Sequence, residues 1–347
     1  MNRAFTAELR QQLIDTYQPL IDPSRPVALV DFPMAVNSGD HAIWLGEKAL
    51  LRHLGIAPAY ECALETYDRE AMADALKDGT ILMHGGGNFG DIYKYHRFRL
   101  RLLSDFPGNK VIVFPQSMMF YSTQSLKKTA EQFERHGNAT ITARDALSHY
   151  KMSKYFGPKT KVLLAPDMAF MMNPLKRIRK PKFDILWLRR DDRESALTLP
   201  LDEIAKLGPM TPTVLKMVPA DGRAVLSEAL FVGETLCVTD WYRATLQNDE
   251  PELDTLDFDA RSIFWVTWAL SILSLGRIVV TDRLHGHILS LLAGFPHILL
   301  NNNYGKNFTY YDTWSKDMQG SWIVPNPKSA LENALNIVKT IKDSDAA

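Results

Sequence analysis

Three short stretches bring together residue types that can hold an anion and move a proton. "HGGGNFGD" (84–91) follows the apolar run Ile81-Leu82-Met83 with three consecutive glycines, a fourth three positions on, and a carboxylate, Asp91, at its end. "WLRRDD" (187–192) places Arg189 and Arg190 just past an apolar run, and "TDRLHGH" (281–287) places Arg283 and His285 just past "RIVV". A guanidinium is a planar donor fork that suits carboxylate and phosphate oxygens and stays charged at any relevant pH. An imidazole passes a proton near neutrality. On an extended chain Arg283 and His285 would share one side, so both would face one ligand. Taken singly, such residues commonly make surface ion pairs or structural contacts; at two strand ends they point together to an anionic ligand bearing both a carboxylate and a phosphate.

Gly85, Gly87 and Gly90 fit the dinucleotide spacing G-x-G-x-x-G. That reading also needs an acidic residue at the tip of the next strand to grip a ribose, and the tip here is "VFPQS" (113–117), without a carboxylate. The glycines also follow what reads as the third strand, not the first. The stretch is therefore expected to be a tight turn or a substrate site at the head of a helix, where amide groups and the macrodipole favour anions. Asp91 is either an N-cap or a base toward a hydroxyl, and the residues alone leave both open.

These motifs need elements to position them. "PVALVDF" (26–32), "TILMHGG" (80–86), "KVIVFPQS" (110–117), "NATITARD" (138–145) and "KVLLAPD" (161–167) read as buried strands. Helices are expected at 39–55, 68–77, 91–104, 124–136 and 145–155. Such alternation predicts a parallel sheet covered on both faces. "MNPLKRIRKPK" (172–182), with two prolines and a basic cluster, reads as a solvated linker. A second series follows: strands at 183–192, 277–282 and 296–302, helices at 261–275 and 328–342, and a loop leading into a helix over 283–294. Residues 193–257 give no clear pattern. The chain of 347 residues exceeds the size at which one core stops growing, so two α/β domains are expected, 1–175 and 176–347.

Composition limits the function classes. Lys plus Arg and Asp plus Glu are 40 each, a balance that argues against general nucleic-acid binding. Cys62 and Cys237 are the only cysteines, too few for a disulfide framework, so a reducing, cytoplasmic compartment is expected. The first 20 residues read as a polar amphipathic helix, not an export signal. "SIFWVTWALSILSLG" (262–276) is shorter than a membrane span and reads as a core helix. No metal-ligand set stands out.

The chain resembles the polysaccharide pyruvyl transferase family. "NSGDHAIWLG" (37–46) is similar to the opening of the family's first helix, "HGGGNFGDIY" (84–93) to its glycine-rich motif, and "FPQS" (114–117), "ARDALS" (143–148) and "APDMAF" (165–170) to later strand-end signatures. "DRLHGHILSLLAGFPHILLNNNYGKN" (282–307) is similar to its C-terminal signature. The resemblance implies two Rossmann-like domains facing across a cleft, GT-B-like, with an N-terminal acceptor side and a C-terminal donor side. It implies transfer of the pyruvyl group of phosphoenolpyruvate, a donor substrate with no separate cofactor, onto two hydroxyls of a sugar, as a cyclic ketal with release of phosphate. The acceptor would be a polysaccharide precursor or lipid-linked oligosaccharide, which would bring the protein to the membrane periphery. Carried onto this sequence, the catalytic residues are Asp91, His285, Arg283 and either Arg189 or Arg190, with Arg189 favoured. Substrate contacts are expected from Gly86, Gly87, Asn88, Arg190, Leu284, Asn37, Asp40, His84, Tyr304 and Lys306. For His84 and Asn88 a loop-shaping role is an equal alternative; for Asn37 and Asp40, a capping role; for Lys306, a solvated position. Trp241, Trp265 and Trp268 could stack on a sugar or lie in the core. The rival readings are a nucleotide-sugar glycosyltransferase of the same architecture and a non-catalytic carbohydrate-binding protein.

Overall fold

The computed structural model describes residues 3–191, 200–217, 225–241, 245–246, 257–302 and 305–346. The chain divides into two compact units. One comprises Ala7–Met34 and Ala42–Met172, here the N-terminal unit; the other comprises Met1–Thr6, Ala35–His41 and Asn173–Ala347, here the C-terminal unit. The division is not a single cut, because the short segment 35–41 groups with the later half.

The N-terminal half carries strands β1 (Val27–Phe32), β2 (Tyr60–Ala63), β3 (Thr80–Met83), β4 (Gly86–Phe89), β5 (Lys110–Met118), β6 (Ala139–Ala143) and β7 (Thr160–Leu164). Its helices are α1 (Arg3–Tyr17), α2 (Ser38–His53), α3 (Arg69–Leu76), α4 (Tyr95–Asp105), α5 (Thr123–His136) and α6 (Ala146–Tyr155). The strands form one parallel sheet in the order β2-β1-β3-β5-β6-β7, with β4 beside β5. Every residue of β1, β3 and β6 is buried, as a sheet covered on both faces requires. Helix ends follow local chemistry: Ser122 caps α5 through the Ser125 amide, and Gly137 closes it at φ 74°.

The C-terminal half carries β8 (Phe183–Arg189), α7 (Leu201–Ile204), β9 (Met210–Met217), β10 (Val225–Val232), β11 (Thr235–Thr239), β12 (Thr245–Leu246), α8 (Phe258–Leu273), β13 (Gly276–Thr281), α9 (Leu284–Ala293), β14 (His297–Leu300), α10 (Lys306–Trp314), β15 (Ser321–Val324) and α11 (Pro327–Ala346). Strands β11, β8, β13, β14 and β15 are parallel neighbours. Strands β9, β10 and β12 extend this sheet in antiparallel fashion. The hairpin β10–β11 turns at Gly233, and together with β9 it fills much of the stretch that shows no helical or parallel-strand pattern in sequence.

The fold is mixed α/β with two parallel-dominated sheets. Each sheet reverses its strand order once, between β1 and β3 in the first and between β8 and β13 in the second. In open α/β sheets ligands bind outside the carboxyl ends of the strands at such a switch point. One switch point is followed in sequence by "HGGGNFGD", the other by "WLRRDD" and "TDRLHGH".

Candidate active site

The C-terminal switch point gathers three strand ends. Strand β8 pairs with β11 through Thr239↔Arg189 and with β13 through Thr281↔Leu188. Residues just past these strands, Asp240 and Trp241, Arg190 and Asp191, and Asp282 and Arg283, are therefore neighbours. The Arg190 amide donates to Asp282 Oδ1 at 2.8 Å and the Asp191 amide to Asp240 Oδ2 at 3.1 Å. Arg283 makes a buried ion pair with Asp240, and its guanidinium carbon lies 5.7 Å from the Trp241 ring centroid. Arg189, with 30 % of its side chain exposed, has a nitrogen 3.7 Å from Asp191. Burial pushes the Asp282 carboxyl up to about 6, against the pull of the Arg190 amide and the Arg283 and Arg190 charges.

Helix α9 starts here. The Arg283 amide donates to Thr281 Oγ1 at 3.1 Å, a local turn that bends the chain straight from β13 into the helix. Arg283 occupies the N-cap position, and its own side chain does not cap the helix. The α9 amino terminus thus presents backbone N–H groups and the positive end of its dipole beside a guanidinium, a setting that favours an anion. His285, in the first turn, packs against residues 35–41: a Cβ built on Gly39 would fall 2.3 Å from His285 Nδ1. His41 holds that segment in place. Its Nε2 lies 3.0 Å from the Ala35 carbonyl and its Nδ1 3.0 Å from Ser262 Oγ, so Nε2–H donates and Nδ1 accepts. Asn37 Oδ1 accepts from the Gly39 amide at 3.2 Å and Asn37 Nδ2 donates to Asp40 at 2.9 Å, which serves the start of α2.

The other histidine of the motif differs. His297 Nδ1 donates to the Phe295 carbonyl at 2.8 Å, so its Nε2 accepts from His287 Nδ1 at 2.7 Å, and His287 Nε2 accepts from Ser315 Oγ at 2.9 Å. Both rings are buried, and burial holds both below the ordinary histidine range, His297 down to about 4. His287 is a neutral structural link.

The N-terminal switch point is closed on itself. Arg99 Nη2 lies 2.7 Å from Asp31 Oδ2 with both side chains at most 1 % exposed. The same guanidinium donates to the Asn88 carbonyl, to Asn88 Oδ1 at 2.7 Å and to the His84 carbonyl. Glu47 takes His84 Nδ1 at 2.9 Å and the Gly85 amide at 2.8 Å. Gln116 also donates to the His84 carbonyl. Asp31 sits at φ 72°; burial lifts its carboxyl to about 6 despite the Arg99 charge.

Two expectations are corrected, one open alternative for Asp91 is excluded, and the core reading of the tryptophans holds. The glycine stretch does not lead into a helix amino terminus: Gly86–Phe89 forms β4, because Gly86 pairs with Gln116 and the Gly85 amide is taken by Glu47. Asp91 is not an N-cap: α4 begins at Tyr95 with Lys94 at its N-cap position, and the Asp91 oxygens instead accept the Tyr121 and Ser122 amides at 2.7 and 3.0 Å. Arg283 and His285 are not on an extended chain, since α9 starts at Leu284; they share the start of a helix. Trp241, Trp265 and Trp268 are at most 1 % exposed and lie in the core, Trp265 stacked on His41.

The remaining expected residues fall as follows. Arg189, Arg190, Leu284, Asn37 and Asp40 belong to the C-terminal unit with Arg283 and His285. Gly86, Gly87, Asn88, His84 and Asp91 belong to the N-terminal unit. Lys306 opens α10, its amide bonded to Asn302 Oδ1 at 2.9 Å. Tyr304 lies outside the described residues. Sequence reasoning missed Asp240 and Gly39. The signal for Asp240 was an apolar strand, "TLCVT", ending in a carboxylate; Gly39 carried none beyond its place in "NSGD". Among the described residues no group of three or more His, Cys, Asp or Glu is placed to hold a metal ion, and no helix is long and apolar enough to cross a membrane.

Comparison with known proteins bears on this geometry. The family model for polysaccharide pyruvyl transferase matches residues 37–304. "Pyruvyl transferase 1" of Schizosaccharomyces pombe (strain 972) is 33 % identical over 323 residues, spanning 89 % of this chain and 75 % of that protein. "Putative pyruvyl transferase EpsO" of Bacillus subtilis (strain 168) is 28 % identical over 310 residues, 88 % of this chain and 90 % of that protein. A solved structure of a functionally uncharacterised protein from Klebsiella pneumoniae subsp. pneumoniae NTUH-K2044 shares the fold, with a TM-score of 0.55 at 16 % identity, covering 93 % of this chain and 99 % of that one. The residues that gather at the two switch points lie within the matched span except Asp31, and the chain is a transferase enzyme that belongs to the polysaccharide pyruvyl transferase family.

Proposed function

We propose that the enzyme takes phosphoenolpyruvate as donor and builds a cyclic pyruvate ketal across two hydroxyls of a sugar in a polysaccharide or its lipid-linked precursor, releasing phosphate. The observation that carries this reading is the C-terminal switch point, where Arg189, Arg190 and Arg283 meet the start of α9 beside His285. A donor with a carboxylate and a phosphate offers such groups two anionic ends. In this reading the two units form a GT-B-like pair in which the C-terminal unit takes the donor and the N-terminal unit, through Asp91, serves the acceptor. A cytoplasmic setting belongs to the same reading and is supported by two buried, unpaired cysteines.

The chemistry balances with the residues at hand. Protonation of the enol methylene leaves a cationic carbon bearing methyl, carboxylate and phosphate. A sugar hydroxyl attacks that carbon and loses its proton. Phosphate departs with its bonding pair, and the second hydroxyl attacks the new cation, losing its proton in turn. Of the two hydroxyl protons, one balances the methyl group and the other the phosphate. The arginines stabilise negative charge on carboxylate and departing phosphate. His285 gives a proton to the methylene or to the phosphate, and Asp91 takes one from a hydroxyl; the chemistry allows the two roles to be exchanged. Incubation with phosphoenolpyruvate and a panel of glycosides tests the reading. Phosphate should appear together with a product heavier by pyruvate less water; hydrolysis without such a product, or reaction only with nucleotide sugars, rejects it.

A further inference from the structure

In the N-terminal unit, Asp91 sits in an unusually fixed piece of surface. Gly90 has φ 149°, and a Cβ there would lie 1.6 Å from the Met119 carbonyl oxygen, so only glycine lets the chain run against residue 119 at that point. The Met119 amide donates to the Phe89 carbonyl at 2.9 Å. Asp91 clamps the next turn through the Tyr121 and Ser122 amides. Phe120 packs inward, its ring centroid 5.2 Å from that of His96 and 6.3 Å from that of Phe89. Ser122 then caps α5.

A loop pinned at each of these residues still leaves Tyr121 63 % exposed, and Tyr93, two positions past Asp91, is 40 % exposed. A large ring left partly in water contributes less to folding than a buried one. Rings presented by a rigid surface loop beside a carboxylate are a binding feature. A tyrosine ring offers an apolar face and a polar tip. A pyranose has matching surfaces: one face of C–H groups and a rim of hydroxyls. Each Asp91 oxygen accepts one backbone bond and keeps a second lone pair for a hydroxyl.

We propose that Tyr121 and Tyr93 form the platform on which the acceptor sugar ring lies, face down, with its hydroxyl edge toward Asp91. This rests on the reaction proposed above and adds to it the acceptor subsite and the chemistry it selects: a pyranoside with one unobstructed apolar face. Tyr121→Ser removes the ring and keeps the backbone amide that binds Asp91.

The test is pyruvyl transfer from phosphoenolpyruvate to methyl pyranosides by wild type, Tyr121→Ser, Tyr121→Phe and Tyr93→Ser. Tyr121→Ser should raise the acceptor KM at least fivefold and leave the phosphoenolpyruvate KM unchanged, with Tyr121→Phe restoring most of the loss and Tyr93→Ser giving a smaller rise. An unchanged acceptor KM in Tyr121→Ser overturns the platform while the reaction stands. Should wild type transfer nothing, the reaction is wrong, and saturation-transfer NMR with the same pyranosides decides the platform. Saturation of ring protons by wild type and its loss in Tyr121→Ser supports it; equal saturation, or none by wild type, overturns it.

Discussion

The two switch points use similar residues to opposite ends. In the N-terminal unit Asp31 pairs with Arg99 and Glu47 with His84, each side chain at most 1 % exposed, and Arg99 and Glu47 also bond the backbone of 84–88. The ions there act as internal struts that hold a strand of glycines, a sequence with little propensity of its own for a strand. In the C-terminal unit the pair Arg283–Asp240 is buried, while Arg189 remains 30 % exposed and Arg283 does not cap the start of α9 with its side chain. Arg99 is spent on the backbone that it holds; Arg189 is kept near solvent at a strand end and is available to a ligand, with Arg283, paired to Asp240, beside it at the start of α9. The presence of arginine and histidine at strand ends therefore does not distinguish site from scaffold, and their partners do.

Breaking the strut gives the largest expected effect. Arg99→Met leaves the Asp31 carboxylate buried without its cation, which costs about 3–5 kcal/mol. Denaturant unfolding should show the loss; a stability within about 0.5 kcal/mol of wild type would mean that the network is not structural. Next comes Arg189→Ala. Its exposure spares the fold, and loss of one charged donor to a transition state lowers turnover about 10²–10³-fold, with a melting temperature near that of wild type. Steady-state kinetics and a thermal melt separate the two effects, and equal turnover would remove Arg189 from the donor site.

Gly39→Ala sharpens the contrast from a distance. The new Cβ would overlap the His285 ring, and because the position is helical the backbone tolerates alanine. A shift of about 1 Å in a reacting group can reduce turnover about 100-fold, so kcat should fall by up to that factor while the protein stays folded. Unaltered kcat would show that His285 does not act in the reaction. The smallest effect is in pH dependence. His287 and His297 stay neutral in the fold while the unfolded chain binds protons near pH 6.5. The unfolded state thus holds more protons between about pH 6.5 and 4, and stability falls as pH drops through that window. Asp31 and Asp282, lifted to about 6, act with the opposite sign, since the fold binds their protons first. His297→Gln should remove part of the acid-side loss, by up to about 1.4 kcal/mol per pH unit. Urea unfolding at pH 7 and pH 5 reads it, and an unchanged difference between the two would mean that His297 is not held neutral.

Much of this was legible in the residues. The parallel strands announced themselves because a doubly covered strand is apolar throughout, and "RIVVTD" and "FDILWLRR" ended visibly where charge began. The start of α9 was not legible, because the Thr281 turn that replaces extended chain at Arg283 is a side-chain contact with no periodic signature. Strand β4 was hidden by its glycines, and β9 to β12 by an antiparallel topology that follows no βαβ rhythm. His285 and His287 look alike two positions apart; only His297 and Ser315, brought in by other elements, show that one of them is locked.

The central claim is that the donor is held by the arginines of the C-terminal switch point. Titration calorimetry of phosphoenolpyruvate against folded wild type, Arg189→Ala and Arg283→Lys tests it most directly. Binding should be present in wild type and weakened at least tenfold in each variant, because a lysine cannot reproduce the bidentate fork. Full affinity in both variants would contradict it.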